Sequence, residues 1–169
     1  MRSREVRIMT RVVAPFSGTV VSLSDVPDPV FAEAMIGPGL AILPDAPDVP
    51  ADASECAKRV VVVAPCAGRM ASVYPHAVVI AVDAERSVLV HLGVDTEDLA
   101  SACYDIAVEE GEFVLAGQPL LAWSPVCVSD KGRSVLCPVI ALQAKRDEVV
   151  TLVSPGDQVS EGETLLTWT

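Results

Sequence analysis

Aromatic residues are scarce in this chain: three Phe, two Tyr and two Trp make up 4% of 169 residues. The core must therefore be built from Val, Ala, Leu and Ile, and the heavy use of Val favours strands over helices. Positive charge is also in deficit, with 12 Lys and Arg against 23 Asp and Glu and a net charge of −11. Such a surface repels phosphate backbones, which excludes nucleic acid as a partner and suggests basic protein partners instead. Long apolar runs are missing. The longest, Val60 to Ala67 with Pro65 inside it and Ala77 to Val82, fall far short of the ~20 residues that cross a bilayer. No membrane helix is expected, and any membrane association would go through a partner. The N-terminus lacks the apolar segment that export requires, and the five cysteines are odd in number with no C-x-x-C spacing, so a reducing cytoplasm is the expected compartment.

What is present suffices for one domain with a real core, since 51% of the residues are hydrophobic and the length makes two domains an unnecessary assumption. Residues 1–11 read as a flexible tail and 12–169 as the domain. Arg2, Arg4, Arg7 and Arg11 form a weak basic patch on what is expected to be a solvated end. The chain runs from its own Met to a last Gly-spaced unit without a linker, the pattern expected of a free-standing protein.

Two internal echoes organise the domain. Ala14-Pro-Phe-Ser-Gly18-Thr-Val20 returns as Ala64-Pro-Cys-Ala-Gly68-Arg-Met70, each predicting a strand with Pro at its edge and Gly at a bend. Gly111-Glu-Phe-Val-Leu-Ala-Gly117-Gln-Pro-Leu-Leu-Ala-Trp123 returns as Gly156-Asp-Gln-Val-Ser-Glu-Gly162-Glu-Thr-Leu-Leu-Thr-Trp168. The glycine spacing predicts hairpins with positive φ at each Gly and a Leu-Leu-x-Trp run entering the core. The expected fold is an all-β sandwich of antiparallel strands. Asp25 to Met35 predicts a short helix ending at Gly37, and Thr96 to Ser101 a single turn. Pro44 to Ser54, rich in Pro, Asp and Ala, predicts a mobile surface loop.

Only two histidines occur, and both sit at the entrance or end of an apolar strand pattern: His76 in Tyr-Pro-His-Ala-Val-Val-Ile and His91 in Val-Leu-Val-His-Leu-Gly-Val-Asp-Thr. Imidazole suits a group that is taken up and released near neutral pH, and a strand end fixes its direction. Fifteen residues separate the two, enough for a strand, a turn and a return that bring them side by side.

The histidine segments, the Val26-Pro-Asp-Pro-Val-Phe-Ala-Glu-Ala-Met-Ile-Gly-Pro-Gly stretch, the Ala-Pro-x-x-Gly strands and the Gly-x5-Gly units together resemble the glucose-type enzyme IIA of the bacterial phosphoenolpyruvate-dependent sugar phosphotransferase system. The likeness runs from about Val12 to Trp168. It implies a barrel-sandwich hybrid fold and a phosphocarrier that accepts a phosphoryl group from the phosphohistidine of HPr and passes it to a cysteine of a sugar-specific enzyme IIB. It implies that His91 is the acceptor and His76 its neighbour, which stabilises the phosphoryl. Phosphate oxygens need donors, for which His76, Thr96 and the turn amide of Gly93 are candidates. The likeness also implies an exposed apolar rim for docking HPr and the IIB/IIC transporter, formed by Val30, Phe31, Ile36, Val79 and Leu89. Asp28 and Asp95 would meet a partner arginine. Regulated transporters or kinases are further partners of this kind.

Several positions depart from the family pattern. Tyr74 stands where a Thr is usual, Glu85 where a Gly is, Glu97 where the rim is apolar, and Gly37-Pro38-Gly39 where Gly-Asp-Gly is expected. Other readings stay open. His91 could be a satisfied core histidine, His76 a holder of the tautomer, Phe31 a core residue and Asp95 the cap of a turn. The two histidines could hold zinc weakly if a partner supplied a carboxylate; no resident metal or cofactor is expected. The glycine units also suit lipoyl or biotinyl carriers, with Lys131 in a turn, although Met-Lys-Met is absent. A regulatory module of the same fold with little or no phosphotransfer is the remaining alternative, consistent with Tyr74 and Glu97.

Overall fold

Val-rich segments too short for helices pair edge to edge throughout the chain. The computed structural model describes residues 8–54 and 57–169. Its strands are β1 (Thr10–Val13), β2 (Gly18–Val21), β3 (Gly39–Pro44), β4 (Val60–Val63), β5 (Gly68–Tyr74), β6 (Ala77–Ala81), β7 (Ser87–His91), β8 (Tyr104–Ile106), β9 (Phe113–Val114), β10 (Pro119–Trp123), β11 (Cys137–Ala141), β12 (Val149–Thr151), β13 (Gln158–Val159) and β14 (Thr164–Trp168). An eight-stranded sheet runs β13-β2-β3-β11-β7-β6-β5-β9, and two three-stranded sheets run β1-β14-β12 and β4-β10-β8. Their pairings are all antiparallel. The expected all-β antiparallel sandwich is what the chain forms.

The two sequence echoes are the halves of an approximate two-fold repeat. Read outward from its centre between β11 and β7, the large sheet pairs β3 with β6, β2 with β5 and β13 with β9 in equivalent places. Linking hydrogen bonds repeat too. The Val13 amide donates to the Pro65 carbonyl and the Val63 amide to the Pro15 carbonyl, at 2.8 and 2.9 Å. Gly18 and Gly68 open equivalent strands for one steric reason: a Cβ on either would lie 2.3 Å from a carbonyl oxygen of the neighbouring strand, of Leu43 or of Ala81.

The Gly-x5-Gly units differ from expectation in one respect. Their glycines do take positive φ, and Leu120, Leu121, Trp123, Leu165, Leu166 and Trp168 are all buried. The two legs of each unit do not pair with one another, however. The first leg, β9 or β13, joins the edge of the large sheet, and the second, β10 or β14, becomes the centre of a small one. Each unit is a crossover between layers rather than a hairpin, and its Leu-Leu-x-Trp leg brings the indoles into the core between the sheets.

The N-terminal boundary also moves. Thr10 and Arg11 belong to β1, opposite Trp168 and Thr167 of β14, because the central strand of the small sheet has an edge for β1 to cover. Arg11 also donates from Nε to the Thr164 hydroxyl at 3.1 Å, so the expected tail to residue 11 is too long by two residues. Arg2, Arg4 and Arg7 lie outside the described residues. The expected helix over Asp25 to Met35 is split into a 3-10 turn, Leu23–Asp25, and the single-turn helix α1, Pro29–Ala32. Asp28 caps α1 by accepting from the Val30 amide at 2.9 Å, and Pro29 occupies the first turn, where its missing N–H costs nothing. A second helix, α2 (Pro125–Asp130), was not anticipated, although Ser124 before Pro125 is a cap signal of the same kind; its hydroxyl accepts from the Cys127 amide at 3.1 Å. Residues 45–54 carry neither helix nor strand. Cys103 and Cys127 form a disulfide, which the odd cysteine count did not indicate, while Cys66 and Cys137 are free and buried.

Gly18→Ala and Gly68→Ala should each cost about 1–3 kcal/mol, the usual penalty for overpacking against an unyielding neighbour. The check is urea unfolding, with equal losses expected because the two contacts are equivalent.

Candidate functional site

β6 and β7 form the hairpin that the histidine spacing predicts. Ala77 pairs with His91, so His76, one residue before β6, lies beside the end of β7. The backbone closes this corner when the Leu92 amide donates to the His76 carbonyl at 2.7 Å. The imidazole centroids stand 5.2 Å apart at 67°, nearly edge to face. His91 is buried, with 7% exposure, and His76 is half-buried. The pair therefore joins one buried imidazole to one that reaches the surface.

The turn after β7 sets the tautomer of His91. Gly93 has φ of +84°, and a Cβ there would meet the Ser134 carbonyl and Thr96 Cγ2 at 2.8 Å, so glycine is required. This conformation aims the Gly93 carbonyl at His91 Nδ1, 2.6 Å away. A carbonyl oxygen only accepts, so Nδ1 carries the proton and Nε2 keeps its lone pair. Gly93 thus meets His91 through its carbonyl, while its backbone also lies against the buried Cys137 thiol. Burial pushes that thiol far up and leaves it inert.

Thr96 is in place but differently employed from expectation. It is fully buried and its hydroxyl donates to the Leu92 carbonyl at 3.1 Å, where the Tyr104 hydroxyl also donates at 2.8 Å. Both hold the turn's shape, and burial raises the Tyr104 hydroxyl to about 12, so it stays protonated. In this structure Thr96 holds the turn beside the histidines through its bond to the Leu92 carbonyl. Asp95, at φ +61° and exposed, already has an arginine of this chain nearby. Its carboxylate lies 3.7 Å from Arg133, whose guanidinium also takes the Asp95 carbonyl and binds both oxygens of Asp98 at 3.0 and 2.9 Å. The Arg133 hydrogen bonds hold the Asp98 carboxyl below the usual carboxylate range. Sequence reading missed Arg133 because nothing local marks a residue that acts 35 positions away.

Around the pair, the apolar residues divide into two sets. Val30 is exposed, and Ile36 and Val79 are half-buried, as a docking rim requires. Phe31 and Leu89 are buried at 6% and 8% in a small cluster with Leu23, Val26, Ala41, Ala77, Val94 and Ile140. They form the rim's foundation rather than its surface, since a large side chain over a buried imidazole gains more by covering it than by facing water. Phe31 packs against His91 with centroids 5.2 Å apart. Met35, two-thirds exposed, extends the surface set. Asp28 is spent on capping α1. Tyr74 is 57% exposed with its ring 5.8 Å from that of His76; the contact is ring to ring.

Glu97, at the expected apolar position, turns its carboxylate to 3.7 Å from His91 Nε2. His76, His91 and Glu97 each offer a ligand atom within 4.8 Å of the others, so the carboxylate that a zinc site was expected to borrow from a partner is supplied by this chain. Three such donors with an open fourth position fit a zinc ion.

A buried imidazole with a fixed tautomer, a second imidazole at its side and an apolar apron on an all-β scaffold define a class: histidine phosphocarriers of the sandwich type. The phosphoenolpyruvate-dependent sugar phosphotransferase system EIIA 1 family matches residues 10–147. Glucose-specific EIIA components of this system from Staphylococcus aureus strains are 30% identical over 165 residues, covering 96% of this chain and 91% of theirs. One from Staphylococcus epidermidis is 29% identical over the same length. The solved structure of glucose permease IIA from Mycoplasma capricolum superposes with a TM-score of 0.78 at 26% identity, covering 95% of this chain and 96% of that one. The chain belongs to the EIIA 1 family of the sugar phosphotransferase system.

The His76 imidazole is held below its ordinary value of 6.5, mainly by burial and then by His91, with Glu97 opposing. The folded protein thus binds fewer protons here than the unfolded chain, so stability from this site is full above 6.5 and declines as pH falls through the folded value. His76 should titrate below 6.5 by nitrogen-detected NMR, and lower still in Glu97→Gln.

Proposed function

We propose that this phosphocarrier accepts its phosphoryl group from phospho-HPr on His91 Nε2 and delivers it to a cysteine of a sugar-specific enzyme IIB. The observation that carries the reading is the Gly93 carbonyl on Nδ1, which leaves Nε2 as the nucleophile. The Nε2 lone pair attacks phosphorus, the donor's nitrogen–phosphorus bond breaks and its electron pair returns to the donor imidazole. The proton stays on Nδ1, hydrogen-bonded to the Gly93 carbonyl. The product is a phosphoimidazolium whose ring is a good leaving group, so the phosphoryl can pass to a thiolate and restore neutral His91. Phe31 covers one side of the ring and limits water, which would otherwise hydrolyse the intermediate.

His76 is assigned the role of donor to the phosphoryl oxygens, supported by its position beside the His91 ring. Docking is assigned to Val30, Met35, Ile36 and Val79, an apolar surface next to the pair, against HPr first and then the IIB domain of a IIB/IIC transporter. Among the described residues no helix is long and apolar enough to cross a membrane, which agrees with a carrier that meets its transporter from the cytoplasm. A second reading is favoured by the His76, His91 and Glu97 donor set: zinc held there would compete with the phosphoryl for Nε2. A protein using the site in that way would serve regulated transporters or kinases rather than sugar flux.

Incubation with phosphoenolpyruvate, enzyme I and HPr should add one acid-labile phosphoryl group by mass spectrometry, and His91→Ala should remove it. A His91→Ala protein that labels fully would move the role to another residue. His76→Gln keeps a donor but cannot adjust its proton as the ring leaves, so acceptance should persist while delivery slows about a hundredfold. Equal loss in both half-reactions would make His76 a structural neighbour. Because Tyr74 touches His76 by its ring, Tyr74→Ala should show a weaker form of this defect and Tyr74→Phe little.

A further inference from the structure

Glu97 introduces a charge that the transfer chemistry does not call for. Its carboxylate faces His91 Nε2 at 3.7 Å, on the side from which phosphorus must approach. A phosphoryl group bonded to Nε2 brings three oxygens and a double negative charge into that same space. Like charges at such a distance repel even when partly screened. The carboxylate must therefore swing away before transfer and then remain near the product as an unfavourable neighbour.

The segment that carries Glu97 is not free to withdraw with it. Thr96 is pinned to the Leu92 carbonyl, and Asp98 is clamped by both arms of Arg133. The 3-10 turn Glu97–Ala102 ends beside Cys103, which is tied to α2 by the disulfide to Cys127. Only the side chain can move, and at 61% exposure it has room to do so. The backbone keeps returning the charge to the site.

We propose that Glu97 is a built-in competitor for the acceptor nitrogen, which slows phosphoryl uptake by His91 and makes the bound phosphoryl easier to give away. This rests on the assignment of His91 as acceptor. Unloaded, the carboxylate occupies the approach to Nε2. Loaded, it destabilises the product relative to the free carrier, so the exchange equilibrium with phospho-HPr lies closer to HPr than it otherwise would. A carrier built in this way holds little standing phosphoryl charge and discharges readily when enzyme IIB offers its thiolate.

The test is the equilibrium constant for phosphoryl exchange between phospho-HPr and the wild-type protein, Glu97→Gln and Glu97→Val, with EDTA present to exclude zinc. Both variants remove the charge, and only Gln keeps the shape. Each should raise the constant by roughly 1.5- to fivefold, the size expected of an exposed charge interaction. The gap to wild type should narrow as salt rises from about 0.01 to 1 M, because screening weakens the repulsion. A constant unchanged or lowered in both variants overturns the proposal, as does a gap indifferent to salt, which would mean that charge repulsion is not its source. If neither wild type nor variants take up phosphoryl, the assignment of His91 fails and this inference fails with it. Equal labelling of all three proteins overturns this inference alone.

Discussion

The pairing of Ala77 with His91 is the contact on which the site depends. One hairpin, β6 to β7, puts two imidazoles at the same end of the sheet and closes the corner through the Leu92 amide on the His76 carbonyl. Side chains alternate along a strand, so a one-residue slip would turn His91 to the opposite face. That slip is prevented by burial. Val88, Leu89 and Val90 on β7 are all inside, and their neighbour β11 is buried along its whole length. The chemistry is thus held by the sheet's hydrophobic register, and the polar contacts refine what the register has already decided.

The two-fold repeat explains why there is one site and not two. β2 and β3 occupy the places that β5 and β6 take in the other half. The connection from β5 to β6 is the short turn through Pro75 and His76. The equivalent connection from β2 to β3 spans residues 22–38 and carries α1. This longer excursion lays Phe31 against His91. One half of the repeat therefore supplies the two imidazoles and the other supplies the cover of His91. Symmetry provides the frame, and the difference between two loops provides the function.

Much of this was legible in the sequence because the signals are local and repeated. The Ala-Pro-x-x-Gly and Gly-x5-Gly echoes mark equivalent strands, and fifteen residues between histidines fit a strand, a turn and a strand. What could not be read is where the legs of a Gly-x5-Gly unit go. Positive φ at Gly117 or Gly162 permits a turn without saying whether the next strand returns to its predecessor or crosses to another layer. Long-range polar partners were equally hidden. Arg133 reaching Asp98, Thr96 turning inward to Leu92 and Cys103 meeting Cys127 follow from the fold and not from any local pattern. Glu97 stood out only as a charge where the resembling family is apolar, while its aim at Nε2 follows from the fold.

Charge is the remaining constraint. The chain carries a net −11, and the arginine brought to the rear of the site is committed to Asp98 and Asp95. On the proposed assignment, a phosphoryl group arriving on His91 would enter a negative environment with the Glu97 carboxylate 3.7 Å from Nε2. Charge stabilisation in transfer normally comes from cations or hydrogen-bond donors aimed at the phosphoryl oxygens. On the proposed assignment His76, whose ring stands beside that of His91, is the donor, and the cationic part would come from a basic partner surface during docking. Such an arrangement makes transfer conditional on the encounter: with the partner away, repulsion and the apolar cover disfavour uptake. With the partner seated on the apolar apron, its positive charge offsets both Glu97 and the phosphoryl. On the proposed function, the acidity that disfavours phosphate backbones would thereby also help to restrict phosphoryl exchange to proteins with a complementary basic face.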